Sequence, residues 1–159
     1  MTIHNLYIFD RSGILLYYAE WNRLKQSGIT REEEAKLMFG MLWSIKSFGF
    51  LCYKTNKYAL HYFETPTGLK FILNTDVNAQ NVRELLYQIY RQVFVEYVIK
   101  NPECNLKEPI KSELFKSQLD AFVKQSPIFG LKSYDFWLPN TQNGHVRFSN
   151  SIYTTVTSA

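Results

Sequence analysis

Two neighbouring segments, residues 58–64 and 68–74, constrain the fold more than any other part of the chain. Both are rich in aromatic and β-branched residues, which favour β-strands. The four residues Thr65-Pro66-Thr67-Gly68 predict a tight turn, because proline presets its first corner and glycine tolerates the conformation that follows. Apolar side chains fall on both faces of each strand: Ala59, His61 and Phe63 oppose Tyr58, Leu60 and Tyr62, and Leu69, Phe71 and Leu73 oppose Lys70, Ile72 and Asn74. An antiparallel sheet with one face in water alternates between apolar and polar residues, so this pattern predicts helices on both faces.

The remaining elements can be placed from periodicity and from turn and cap residues. Residues 3–9 and 14–19 read as a β-hairpin, in whose turn Asp10 can bond the backbone and Gly13 supplies freedom at the exit. Residues 51–55 read as a short strand before the central pair. A helix begins at Thr30, a second runs from Val82 to Val98 and ends near Asn101-Pro102, and a third begins near Ser112. The predicted order is β-β-α-β-β-β-α-α in one α+β domain over residues 1–127. We expect residues 128–159, rich in Asn, Ser and Thr toward the end, to form a flexible tail.

The first helix carries an unusually wide apolar arc. Thr30 and Glu33 have the spacing of a capping box, which accounts for the acidic residues at the helix start. The face formed by Ala35, Met38, Leu42 and Ile45 suffices to pack on a sheet, which leaves Leu37, Met41 and Phe48 beside it. Either a loop or a second protein covers this surplus, and the pattern does not decide between them. The candidate partner interface therefore comprises Leu37, Met38, Met41, Leu42, Ile45 and Phe48.

Composition and motifs exclude several classes of function. The net charge is +4, but the basic residues form no stripe, so we do not expect a nucleic-acid partner. The chain has no phosphate-binding glycine loop, no zinc-binding motif and no nucleophile with a neighbouring base, so we expect no catalytic residue, metal or cofactor. Its two cysteines, Cys52 and Cys104, cannot form a disulfide framework. Without a signal peptide or a membrane-length apolar run, we expect a cytoplasmic protein with reduced thiols.

Several long segments resemble one known family. The segments HNLYIFDRSG, EEEAKLMFGMLWSIKSF, YALHYFETPTGLKFILNTD, IYRQVFVEYVIKNP and SELFKSQLD are similar to the family of subunit 1 of the TRAPP complex, the transport protein particle of membrane traffic. The resemblance covers about residues 1–127. The chain differs from the family in having a shorter connection between the first helix and the third strand. From about Leu131 onward the chain no longer resembles the family.

The resemblance implies a fold and a function. The family has the longin, or profilin-like, three-layer fold, with a five-stranded antiparallel sheet in the order 2-1-5-4-3. One helix lies on one face of that sheet and two on the other. It implies a core subunit, non-catalytic by itself, of a tether and guanine-nucleotide exchange factor for a Rab GTPase in transport from endoplasmic reticulum to Golgi. The implied partners are other TRAPP subunits, of the longin type and of the type with a palmitate-filled pocket, and the Rab GTPase through the assembled complex. The implied location is cytoplasmic and peripheral at the endoplasmic reticulum and cis-Golgi, with membrane contact only through the complex.

Two other functions are compatible with the same fold. A small longin subunit of a coat adaptor would bind sorting signals instead of a GTPase. A profilin-like sensor would hold a small ligand among Tyr58, Leu60, Tyr62 and Phe71, although alternate aromatic residues on strands are typical of plain core.

Overall fold

The computed structural model describes residues 2–22, 28–47 and 52–126. The five strands form one antiparallel sheet in the order β2-β1-β5-β4-β3, as the family resemblance implied. Strand limits differ from the predicted ones by one or two residues. The elements in chain order are β1 (Ile3–Phe9), β2 (Leu15–Glu20), α1 (Arg31–Ser47), β3 (Cys52–Lys54), β4 (Ala59–Glu64), β5 (Lys70–Thr75), α2 (Val82–Gln88), a π-helical segment (Ile89–Ile99) and α3 (Glu113–Gln125).

Both predicted turns form through the residues expected to form them. In the β1–β2 turn the backbone N–H of Ile14 donates to Asp10 Oδ1 at 2.7 Å, and Gly13 has a φ of +94°. In the β4–β5 turn the backbone N–H of Gly68 donates to the carbonyl of Thr65 at 2.9 Å, and Gly68 has a φ of +88°. Glycine takes these left-handed conformations without steric cost.

The sheet is the middle of three layers, which confirms the prediction from its two apolar faces. One face packs under α1 through a cluster that includes Tyr7, Phe9, Leu60, Tyr62 and Ile72. The opposite face packs under the helical residues from Val82 onward, and its cluster is larger. It comprises, among others, Leu6, Ile8, Phe71, Leu73, Leu86, Phe94, Phe115 and Leu119.

The predicted second helix is not a uniform α-helix. After α2 the chain continues as the π-helical segment, in which hydrogen bonds reach back five residues. The N–H of Lys100 donates to the carbonyl of Val95 at 3.0 Å at its end. The wider winding still buries Ile89, Val93, Phe94 and Val98. The spacing of the apolar residues therefore predicted a helical segment with a buried face, but it did not predict that this segment winds as a π-helix.

Helix α3 is fixed at its start and along its side. The Ser112 hydroxyl accepts the backbone N–H of Phe115 at 3.2 Å, a side-chain cap at the predicted position. Trp21 Nε1 donates to Asp120 Oδ1 at 2.9 Å and ties α3 to the end of β2. Among the described residues, no helix has the length and apolar character needed to span a membrane.

Candidate functional site

The first turn of α1 has the predicted capping chemistry. Glu33 accepts the backbone N–H of Thr30 at 3.0 Å and its hydroxyl at 2.9 Å, and the Thr30 hydroxyl accepts the N–H of Glu33 at 3.3 Å. The hydrogen bonds from the Thr30 backbone and side chain hold the pKa of Glu33 below its ordinary value. Glu33 is therefore a structural group of the helix start, as predicted.

The inward side of α1 uses three of the six apolar residues that the sequence predicted as an interface, namely Met38, Met41 and Leu42. Leu42 is buried with Ala35, and Met38 packs against the same cluster. Met41, which was predicted to lie beside the core face, is half-buried and also packs on this cluster. Hence Met41 belongs largely to the α1–sheet contact. The side chain of Ile45, and Phe48 altogether, lie outside the described residues.

Aromatic packing seats α1 closely on the β1–β2 hairpin. The Phe39 ring lies 5.5 Å from that of Phe9. A Cβ placed on Gly13 would lie 2.5 Å from two carbons of the Phe39 ring, so the turn has no room for a side chain there. The position of α1 on the sheet is therefore well defined at this point.

The outward side of α1 is partly apolar. Leu37 is 66% exposed and Trp43 is 62% exposed, with the Trp43 ring edge-on to Phe39 at 6.5 Å between centroids. Gly40 lies between Leu37 and Trp43 on the helix surface, and a Cβ there would have no heavy atom within 4 Å. We call Leu37, Gly40 and Trp43 the outer face of α1. The sequence pattern identified Leu37 as part of this face, but not Trp43 or Gly40.

A polar seam lies between the first turn of α1 and the sheet. Asn74 Nδ2 donates to Asn5 Oδ1 at 2.8 Å, Asn5 Nδ2 lies 3.5 Å from Tyr7 Oη, and the Tyr7 hydroxyl donates to Glu34 Oε1 at 3.0 Å. Asn5 and Asn74 are register partners in adjacent strands. Sequence reasoning missed this seam. The available signal was an asparagine inside each of two otherwise apolar strands.

The ionisable groups on the sheet show no arrangement for covalent chemistry. His61 is buried on the α2 face, where its Nε2 lies 3.0 Å from Thr75 Oγ1. Burial, with a smaller effect of Lys54, lowers the pKa of His61 to about 4, so its ring is neutral near pH 7. Cys52 is exposed on β3, and partial desolvation by its neighbours raises the pKa of its thiol, which disfavours the reactive thiolate. No group of three or more metal-ligating side chains occurs in the part of the chain that the structure describes.

The four residues of the hypothetical sensor site do not come together. Leu60 and Tyr62 lie in the cluster under α1, whereas Phe71 belongs to the cluster on the opposite face. Tyr58 is exposed. Because the sheet separates Phe71 from the other residues, these four cannot line one ligand pocket.

Comparison with known proteins identifies similar chains. The Sybindin-like family matches residues 3–50 and 46–126. The two stretches overlap at the end of α1, where the sequence predicts a shorter connection than in relatives. The chain is 49% identical over 144 residues to trafficking protein particle complex subunit 1 of Homo sapiens, which covers 84% of this chain and 99% of the human protein. It is 44% identical over 140 residues to the protein of that name in Dictyostelium discoideum, covering 80% of this chain and 98% of the relative. It is 31% identical over 156 residues to transport protein particle subunit bet5 of Schizosaccharomyces pombe, covering 81% of this chain and 100% of the relative.

Proposed function

The chain belongs to the Sybindin-like family, and on that premise we propose that it is a core subunit of a TRAPP complex, in the place of subunit 1. The observation that carries this proposal is the 49% identity to the human subunit 1 over nearly the whole length of that protein. The five-stranded sheet in the order 2-1-5-4-3, with helices on both faces, agrees with the fold that the sequence resemblance implied.

The subunit contributes protein surface and no covalent chemistry to the complex. A neutral buried His61 and a Cys52 thiol with a raised pKa are poor candidates for acid–base or nucleophilic work. Nucleotide exchange needs neither group. A complex that binds the nucleotide-free form of a GTPase more tightly than the nucleotide-bound form shifts the population toward nucleotide release.

The outer face of α1 is the surface that we assign to a neighbouring subunit of the complex. Leu37 and Trp43 expose large apolar side chains on a helix whose other side is already packed. Gly40 between them lets a partner backbone approach α1 closely. A stable interface of typical size would bury about 800 Å² on each partner, more than this face alone supplies, so adjacent residues take part.

The complex acts on a Rab GTPase of the route from endoplasmic reticulum to Golgi, and it carries the subunit to those membranes as a peripheral component. The subunit itself needs no membrane contact, since the other subunits provide it.

Affinity purification tests the assignment. The full chain carrying a tag is expressed in its own cells, and co-purifying proteins are identified by mass spectrometry. We expect TRAPP subunits in stoichiometric amounts. Recovery of the large chains of a coat adaptor without TRAPP subunits would instead assign the chain to that class and refute the proposal.

A further inference from the structure

The tips of the β1–β2 and β4–β5 turns meet at Arg11. Lys70 Nζ donates to the carbonyl of Arg11 at 3.3 Å and to that of Gly68 at 3.0 Å, so one ammonium fixes the backbone of both turns. The stem of the Arg11 side chain lies across Gly68. A Cβ placed on Gly68 would lie 3.0 Å from Cγ of Arg11 and 3.4 Å from its Cδ, so a side chain there would crowd this stem.

The Arg11 guanidinium extends from this contact into solvent. The residue is exposed, and no described residue accepts a hydrogen bond from its guanidinium or forms an ion pair with it. Fixing a long side chain costs conformational entropy, and here part of that cost falls on folding instead of on binding. The planar guanidinium matches a carboxylate through two parallel hydrogen bonds. Arg11 is therefore preorganised to bind a carboxylate.

Arg11 belongs to the same continuous surface as the outer face of α1. The Trp43 ring is edge-on to the Phe39 ring at 6.5 Å, and the Phe39 ring lies against Gly13 in the turn that carries Arg11. The Phe39 ring centroid is also 5.9 Å from Lys70 Nζ, which holds the Arg11 carbonyl. The outer face alone is too small for a stable interface, and this turn extends it.

We propose that the TRAPP subunit seated on the outer face of α1 places an aspartate or glutamate carboxylate against Arg11. Because the partner is taken to be a TRAPP subunit, this assignment rests on the proposed function. Tryptophan and arginine are the residue types enriched at interface hot spots, and Trp43 and Arg11 lie on one surface here. The apolar contact at Trp43 supplies burial, and the charge pair at Arg11 fixes the orientation of the partner.

Zero-length crosslinking of the assembled complex tests the pairing directly. The full chain is co-expressed with the other subunits as Arg11→Lys, and a carbodiimide joins a lysine amine to a carboxylate in direct contact with it. We expect mass spectrometry to find a crosslink from residue 11 to an aspartate or glutamate of a neighbouring subunit. The matched control is Arg83→Lys, at an exposed position of α2 on the opposite side of the sheet, which should give no crosslink to that subunit.

Arg11→Met measures what the charge contributes to binding. Methionine keeps an unbranched stem over Gly68 and removes the guanidinium. We expect the affinity for the remaining TRAPP subunits to fall about tenfold or more, the loss typical of removing one member of a paired charge. Arg83→Met should bind as tightly as the wild-type chain.

Two results would overturn the pairing and leave the proposed function intact. A complex that assembles with Arg11→Lys could give no crosslink from residue 11 to another subunit, or Arg11→Met could bind as tightly as wild type. If the wild-type chain does not bind TRAPP subunits at all, the proposed function fails and the pairing fails with it.

Discussion

Lys70 joins three parts of the fold and provides the sharpest test of how α1 and the two hairpins are held together. Its side chain is on the α1 face of β5, and the residue is only 7% exposed. Its Nζ donates to the carbonyl of Gly68 at 3.0 Å and to that of Arg11 at 3.3 Å, which belong to different turns. Glu64 Oε1 lies 3.8 Å from the ammonium, and the Phe39 ring centroid of α1 lies 5.9 Å from it.

Replacing Lys70 with Met removes the ammonium and keeps most of the apolar stem. Two hydrogen bonds from a charged donor are worth roughly 1.5–3 kcal/mol each. Part of this is offset, because the charge no longer has to be desolvated, and because the Glu64 carboxylate keeps the Tyr62 hydroxyl at 2.7 Å. We expect Lys70→Met to lower the free energy of unfolding by about 2 kcal/mol, or roughly 6–10 °C in Tm for a domain of this size.

Thermal and urea unfolding of the full chain, followed by circular dichroism, measures the effect. The matched control is Lys57→Met in the exposed β3–β4 turn, which should change the free energy of unfolding by less than about 0.5 kcal/mol. Equal stability of the two variants would show that the buried ammonium does not hold the turns together.

Three other predictions concern the outer face, the buried histidine and the tail. Gly40→Ala should raise Tm by roughly 3–5 °C, because alanine is favoured over glycine by about 1 kcal/mol inside a helix and its Cβ has open space. The same change should weaken binding of a TRAPP partner in a pull-down, and unchanged binding would show that no partner approaches at Gly40. The folded-state pKa of His61 is about 4 and lies below the ordinary value of 6.5, so the unfolded chain takes up the proton first as pH falls through this window. The wild-type advantage in Tm over His61→Gln should therefore shrink between pH 7 and about 4.5, and a constant difference would contradict the depressed pKa. Deleting residues 140–159 should change the free energy of unfolding by less than about 0.5 kcal/mol in urea titrations, and a larger loss would mean that the tail packs on the domain.

Sequence patterns predicted the strands, the turns and the three layers because these follow from local rules, whereas the strand order was implied by the family resemblance. Apolar residues on both faces of residues 58–64 and 68–74 required cover on both sides, and the Gly13 and Gly68 turns followed from their residue types. The π-helical winding after Gln88 was not predicted, because apolar residues at three- and four-residue steps are typical of an α-helix.

The candidate site was predicted less completely than the fold. Leu37 was correctly placed outside the core face, but the half-burial of Met41 depends on how α1 tilts against Phe9 and Tyr62, which periodicity does not encode. The exposure of Trp43 depends on the same tilt. The Asn5–Asn74 pair depends on strand register across non-consecutive strands, which one sequence does not reveal.

Nucleotide release from a Rab GTPase tests whether this chain supplies the α1 surface of an exchange factor. Release of a fluorescent nucleotide is measured with the chain alone and with reconstituted TRAPP cores that contain it as wild type, Leu37→Asp or Leu114→Asp. The two leucines are matched, since Leu37 is 66% and Leu114 55% exposed, on α1 and α3 respectively. An aspartate at Leu37 would bury an unpaired charge in the interface, at a cost that assembly cannot absorb.

We expect no acceleration by the chain alone, rapid release with the wild-type and Leu114→Asp cores, and lost assembly and release with Leu37→Asp. Full activity of the Leu37→Asp core, or of a core that lacks this chain, would show that the α1 surface is not needed for exchange.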